Sequence, residues 1–466
     1  MNDRDLAALP AHRLARMIAR REISPVEVVD AYLRNIASLD PRLRAFVEVY
    51  ENDARLAARG AEAALHAGHA VGPLHGMPIA LKDLVELEGR IVTGGSEVWK
   101  ARRAARTATL ARNLVSRGMI VLGKTHTVEF AMGGWGTNTL RGTPWNPWDM
   151  QCRRTPGGSS NGSGVAVAAG LAPWAVGTDT GGSVRLPASW CGIAGLKTTI
   201  GRVSTYGVLP LSPTLDTPGP MARCVEDVAL LYAAMQGRDP LDPRTADIPY
   251  VDPMPALKRG VRGLRLARMP GREREHATGE VLDAYDESLR VLETLGAEIV
   301  EPDLPFRFED VAMYNLRIMA AEGYALYHDL IDDPRAPLDP DVRPRIAAGR
   351  DLSARAYIEA LQQRVAMKQQ FALAMEGIDA LLTPTTLTTA LPLTEVDQTR
   401  APAHYTRFGN FLDLSALALP NGMTTQGLPT SLQIVCRRAA EDLALRIGWA
   451  FEDATDWHTR RPALAA

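Results

Sequence analysis

The sequence predicts an α/β fold in which a mixed central β-sheet is covered by helices on both faces. Three observations predict it. Short apolar runs bounded by glycine and proline recur, as in GPLHGMPIALKDLVEL, MIVLGKT and DALLTPT. Helical stretches alternate with them, among them Thr107–Arg117 and EVLDAYDESLRVLETLGAEIV, an amphipathic helix running into a strand. Between Arg154 and Leu196 a stretch of small residues carries two Gly-Gly-Ser clusters, Gly157-Gly158-Ser159 and Gly181-Gly182-Ser183.

In chain order, residues 1–65 read as helical. Ser24-Pro25-Val26-Glu27 forms a capping box with proline at the first helical position, and Val29, Leu33 and Ile36 follow as one apolar stripe. Strands and helices then alternate through residues 70–230. Tyr314–Phe371 reads as mostly helical, a side wall or lid over residues 310–375. Residues 376–466 return to the sheet through the runs at Asp379–Thr385 and Leu428–Val435. The whole span, 1–466, is expected to form a single domain.

Composition narrows the function classes. Hydrophobic residues make up 46% of the 466 residues, and 52 basic against 54 acidic residues leave a net charge of −2. That balance recruits neither nucleic acid nor an anionic membrane. Cys152, Cys191, Cys224 and Cys436 lie far apart without a zinc-ligand pattern, so neither a metal nor a disulfide framework is implied. The N-terminus has charges from its start and no apolar core of a signal peptide. The most apolar run reaches only from Val165 to Gly177 and contains Pro173, too short to span a bilayer. A cytoplasmic protein is expected.

One motif misleads. Gly118–Thr125 matches the phosphate-loop pattern G-x-x-x-x-G-K-[ST], but its four intervening residues are Met119, Ile120, Val121 and Leu122. These read as a buried strand whose N–H groups are spent on sheet pairing, not as a loop that cradles phosphate.

The 154–196 stretch is too apolar to be a linker, because Val165, Val167, Leu171, Trp174 and Val176 run through it. It reads as a tight helix and a short buried strand between two strained turns, and glycine makes a serine cheap to place in such a turn. A serine nucleophile needs a base, and the stretch holds no histidine. Lys82, in Pro78-Ile79-Ala80-Leu81-Lys82-Asp83-Leu84-Val85, is either an edge-strand lysine reaching solvent or a lysine kept neutral by desolvation.

Together these segments resemble the amidase signature family. The resemblance runs from HGMPIALKDLVEL through GKTHTVEFAMGG, NPWDMQCRRTPGGSSNGSG, GTDTGGSVRLPASWCGIAGLKTTIGRVS and GPMARCVEDVALL to GLPTSLQIV. It implies a serine–cis-serine–lysine triad that falls on Ser183, Ser159 and Lys82, with a cis peptide before Ser159. Ser183 would attack the carbonyl, and Ser159 would pass its proton to neutral Lys82. An oxyanion hole is expected from the N–H groups of Thr180, Gly181, Gly182 and Ser183, aided by a helix starting near Ser183. Asp179 and Arg185 are expected to pair and hold the loop, Ser160 to orient the triad, and Cys191 to pack in the core.

The chain departs from the family pattern in places. Asn161 stands where many relatives have glycine. Gly133-Gly134-Trp135-Gly136 stands where relatives often have small polar residues; Met132, Gly133 and Trp135 are expected at the substrate pocket, and Trp135 reads equally as pocket wall or as core. Phe411–Pro420 departs from a more glycine- and proline-rich segment of many relatives, at the end of the chain that in the family usually shapes the substrate pocket. The R-x-G-type segment of glutamine-using amidotransferase subunits is not found in MYNLRIMAAEGYALYHDL.

These readings favour a stand-alone hydrolase that cleaves small uncharged aryl or alkyl amides, extending to carbamates and esters, without cofactor or metal. The protein is expected to be a monomer or homodimer acting on a small-molecule amide or carbamate. The alternatives are a glutamine-hydrolysing component of an amidotransferase and a non-catalytic scaffold.

Overall fold

The computed structural model describes residues 3–464. Its strands are β1 (Phe46–Val49), β2 (Pro78–Lys82), β3 (Ile120–Thr125), β4 (Trp174–Asp179), β5 (Ala194–Lys197), β6 (Thr217–Ala222), β7 (Arg265–Ala267), β8 (Glu298–Val300), β9 (Ala380–Pro384), β10 (Ser415–Met423) and β11 (Pro429–Cys436). They join one 11-stranded sheet in the order β1-β3-β2-β4-β6-β5-β10-β11-β9-β7-β8. Parallel and antiparallel pairs mix in it, and helices cover both faces. Residues 1, 2, 465 and 466 of the expected domain lie outside the described ones.

Burial explains the strand sequences. β2 is apolar and buried along its whole length because it lies between β3 and β4 with covered faces. Lys82 at its end therefore has no edge along which to reach solvent. β3 contains the phosphate-loop look-alike: the Met119 N–H bonds Leu114 O at 3.1 Å and the Ile120 N–H bonds Met77 O at 2.9 Å. Lys124 is buried 3.3 Å from Asp83. No loop is left to hold phosphate.

The small residues of the signature stretch allow close packing. Helix Asn161–Ala168 is buried throughout, and a Cβ added at Gly162 would sit 2.3 Å from the Ala45 carbonyl oxygen. Nothing larger fits there. Helix Arg185–Cys191 follows β4 and the second serine turn.

At the N-terminus the Ser24 capping box is complete, and Val29, Leu33 and Ile36 are buried. The helical reading of residues 1–65 needs one correction: β1 separates helix Pro25–Leu43 from helix Glu51–His66. Phe46 and the β-branched Val47 and Val49 suit a strand, and β1 pairs with β3 at the edge of the sheet. From Ser415 the chain forms β10, a central strand between β5 and β11 that the sequence reading does not single out. Its continuous apolar run is that of a strand covered on both faces, with Pro420 at a shift in register. Helix Gly279–Thr294 leads towards β8, and helices Phe308–Asp332 and Ala354–Ala374 occupy much of the stretch read as helical.

Candidate active site

Two turns and one strand end meet at the C-terminal ends of β2 and β4. Lys82 closes β2, Thr178 and Asp179 close β4, Ser159 and Ser160 precede helix Asn161–Ala168, and Ser183 sits between β4 and helix Arg185–Cys191. Lys82 Nζ donates to Ser159 Oγ at 2.8 Å, Thr178 Oγ1 at 2.8 Å and Ser160 Oγ at 3.0 Å. It is fully buried. Burial pulls its ammonium down to about 7, opposed by the more distant charges of Asp179 and then Asp216. The Gly158–Ser159 peptide is cis.

Ser183 lines an adjoining cavity of about 390 Å³. Its carbonyl accepts the Ser160 N–H at 3.2 Å, which ties the two serine turns together. The Ser183 hydroxyl makes no hydrogen bond among the described residues, whereas that of Ser159 is held by Lys82.

Asp179 and Arg185 form the expected pair, 3.0 Å apart and fully buried. The geometry shows how the pair shapes the turn: Asp179 Oδ1 accepts the Gly182 N–H at 2.7 Å and Oδ2 accepts the Val184 N–H at 3.1 Å. This corrects the expected oxyanion hole. The Gly182 N–H is already spent on a carboxylate, which leaves those of Thr180, Gly181 and Ser183. Although burial pushes the Asp179 carboxyl up, the charge and hydrogen bonds of Arg185 outweigh it and hold the group well below the usual range.

Sequence reasoning missed several partners. Thr178, inside the GTDTGGS motif, shares the lysine and was within reach of a motif reading. Asn410 bridges Asp179 and Arg185 at 2.8 and 2.6 Å, and Gln433 accepts from Arg185 at 2.7 Å. Asp216 accepts from Thr180 Oγ1 at 2.5 Å, and burial raises its carboxyl to about 6. No local pattern marks these three, which come from distant segments.

Met132, Gly133 and Trp135 line the same cavity as Ser183. The Trp135 ring also stacks on Trp190 with centroids 5.4 Å apart. Cys191 is fully buried and its thiol is pushed up by burial. The cysteines are free. Two groups have metal-ligand types, His12 with Cys224 and Asp227, and Glu273 with His276 and His404. Each contains a histidine–carboxylate contact, His12–Asp227 at 2.7 Å and His404–Glu273 at 2.9 Å, and none of the six lines the cavity.

A lysine buried against a cis-linked serine, beside a glycine turn carrying a second serine, is the arrangement the sequence resemblance implies. The amidase family model matches residues 27–445, and the chain belongs to the amidase signature family. Among curated relatives, a glutamyl-tRNA(Gln) amidotransferase component from Roseiflexus castenholzii is 36% identical over 493 residues, covering 98% of each chain. A solved chain from a vestigial complex tied to the origins of an s-triazine catabolic enzyme, with inhibitor bound, is 31% identical. Its TM-score is 0.90 over 96% of this chain and 98% of that one. A bacterial aryl acylamidase is 26% identical with a TM-score of 0.88 over 97% and 99%. No helix among the described residues is long and apolar enough to cross a membrane.

Proposed function

We propose that the chain hydrolyses the C–N bond of a small linear amide through an acyl-enzyme on Ser183. The observation that carries this reading is the buried Lys82, hydrogen-bonded to Ser159 and poised near neutrality. In its neutral form Lys82 takes the Ser159 proton while Ser159 takes that of Ser183, and Ser183 Oγ bonds to the carbonyl carbon. The oxyanion meets the N–H groups of Thr180, Gly181 and Ser183. Collapse of the intermediate breaks the C–N bond, and the proton returns through Ser159 to the leaving amine. Water then releases the acid by the same route. Carbamates and esters pass through similar tetrahedral intermediates and belong to the same reading.

The wall formed by Met132, Trp135, Leu186, Leu316 and Met319 supports an alkyl or aryl body for the substrate. An uncharged substrate would leave Arg317, Arg345 and Arg407 at the cavity without counter-charge, so the lining supports an apolar body but not an uncharged one. A second reading, a glutamine-hydrolysing component that passes ammonia to a partner, is supported by the name and full-length similarity of the Roseiflexus relative. Both readings use the same triad.

The test is to assay the purified chain, alone, on p-nitroanilides, p-nitrophenyl carbamates, p-nitrophenyl esters and glutamine, with Ser183→Ala and Lys82→Ala beside it. Turnover of an anilide or carbamate that both variants lose is the expected result. Glutamine hydrolysis alone would favour the amidotransferase reading. Silence on every substrate would favour a scaffold.

A further inference from the structure

Three arginines, Arg317, Arg345 and Arg407, line the cavity that holds Ser183, and among the described residues no aspartate or glutamate does. None of the three forms an ion pair among the described residues. Arg345 is held by oxygens, donating to Gln398 Oε1 and Gln398 O at 2.7 Å each and to Met132 O at 3.2 Å. Arg407 has no such partners: its guanidinium makes no hydrogen bond among the described residues. Burial, and then the nearby charge of Arg345, pulls it down to about 10. Arg407 is half-buried, and a partly desolvated cation without a partner is stabilised by a ligand that brings it a negative charge.

Its position is set by the nucleophile turn. Thr406 Oγ1 donates to Gly181 O at 2.7 Å, and Arg185 donates to Thr406 O at 2.9 Å. A Cβ on Gly181 would touch Arg407 Cγ at 3.5 Å. The arginine stem thus packs on the glycine turn that also carries the candidate oxyanion donors. Arg407 and Ser183 line the same cavity, so a substrate whose carbonyl sits at Ser183 shares that cavity with the guanidinium.

We propose that the acyl half of the substrate ends in a carboxylate held by Arg407, and that the pocket selects an amide bearing a negative charge and no ammonium. Arginine presents paired N–H donors that match a carboxylate. The absence of acidic lining residues disfavours a substrate with an α-ammonium, since specificity arises as much from unmatched charges as from matched ones. Monoamides of short dicarboxylic acids fit this description, and glutamine does not. The inference rests on the hydrolase reading above.

The experiment compares ammonia release from malonamate, succinamate and glutaramate with that from propanamide, butanamide and pentanamide, in which methyl replaces the carboxylate. Glutamine, the amino-bearing counterpart of glutaramate, is the third arm. At the best length, kcat/KM is expected to favour the anionic amide by roughly tenfold to a hundredfold, the size of one charged hydrogen-bonded contact. Glutaramate is expected to outrun glutamine. In Arg407→Gln the anionic-to-neutral ratio collapses towards one, and Arg407→Lys recovers part of it.

Equal rates for the anionic and neutral amides, a ratio unmoved in Arg407→Gln, or a preference for glutamine over glutaramate would each overturn the proposal while leaving the hydrolase reading intact. Binding provides a readout independent of turnover. Titration of Ser183→Ala with the three monoamides is expected to give a heat that weakens at least roughly tenfold when Arg407→Gln is added. Binding indifferent to Arg407 would overturn the subsite even if the chain hydrolysed nothing. Binding that depends on Arg407 without any turnover would preserve the subsite and sink the hydrolase reading.

Discussion

Lys82 Nζ and Ser159 Oγ lie 2.8 Å apart in a fully buried site where the lysine has no carboxylate in ion-pair contact among the described residues. Three hydroxyls surround the amine instead, and hydroxyls can serve either its charged or its neutral form. Burial then decides the balance and brings the group to about 7.

Activity is therefore expected to rise with pH through about 7, as Lys82 loses its proton and becomes the base. A pH profile of kcat/KM checks this. A profile falling through the same range would contradict the assignment of Lys82 as base.

The same shift predicts a stability effect. The folded lysine titrates near 7 and the unfolded one near 10.5, so the unfolded state binds more protons between these values and stability increases with pH across them. Lys82→Met is expected to raise the melting temperature at pH 6–7 and to lose that advantage towards pH 10. Thermal unfolding at several pH values reads it, and a variant less stable at every pH would refute it.

Ser183→Ala is expected to remove roughly 10⁴–10⁶-fold of activity, the scale of losing a nucleophile that acts as part of a unit. Its melting temperature should stay near that of the wild type, because the Ser183 hydroxyl makes no hydrogen bond among the described residues. Ser159→Ala should cost comparable activity, whereas Ser160→Ala leaves Lys82 its contacts with Ser159 and Thr178 and should cost less.

Gly182→Ala tests the turn itself. The residue has φ of 134°, and an added Cβ would lie 2.4 Å from Thr406 Oγ1. Strain on this scale costs about 1–3 kcal/mol, and relief by shifting the turn would displace Ser183. Loss of both stability and kcat is expected, measured by thermal unfolding and steady-state assay.

Arg185→Leu is expected to destabilise the fold by about 3–5 kcal/mol, because it leaves Asp179 charged and buried without its partner. Since the fold depresses the Asp179 carboxyl, the stability it contributes is present above the unfolded value of 3.8 and lost as pH falls below it. The variant should therefore lose the most stability at neutral pH. Denaturant titrations at pH 7 and pH 3 compare the two.

Much of the site was legible in the sequence because it is local. The glycines of both turns, the serines behind them and a lysine among apolar residues are properties of short segments, and so is the capping box at Ser24. Each expresses what a few consecutive residues can do sterically. The strand at Phe46–Val49 is also short, but its neighbours on both sides are strong helices, and only its pairing with β3 stabilises it as a strand. The run at Ser415–Met423 shows no alternation because both its faces are covered, so periodicity alone does not separate a central strand from a loop or helix there.

By itself the sequence determined the α/β class, the serine turns and the candidate base. Only the tertiary structure decided what surrounds them. The sheet order brings β2, β4 and the two turns to one end, and it buries Lys82 where an edge strand would have exposed it. The same topology carries Thr178 to the lysine, Asn410 and Gln433 to the Asp179–Arg185 pair, and Arg345 and Arg407 to the cavity beside Ser183. The reason is physical: local conformation follows from neighbouring side chains, but desolvation and charge balance are properties of the groups that folding gathers from distant parts of the chain.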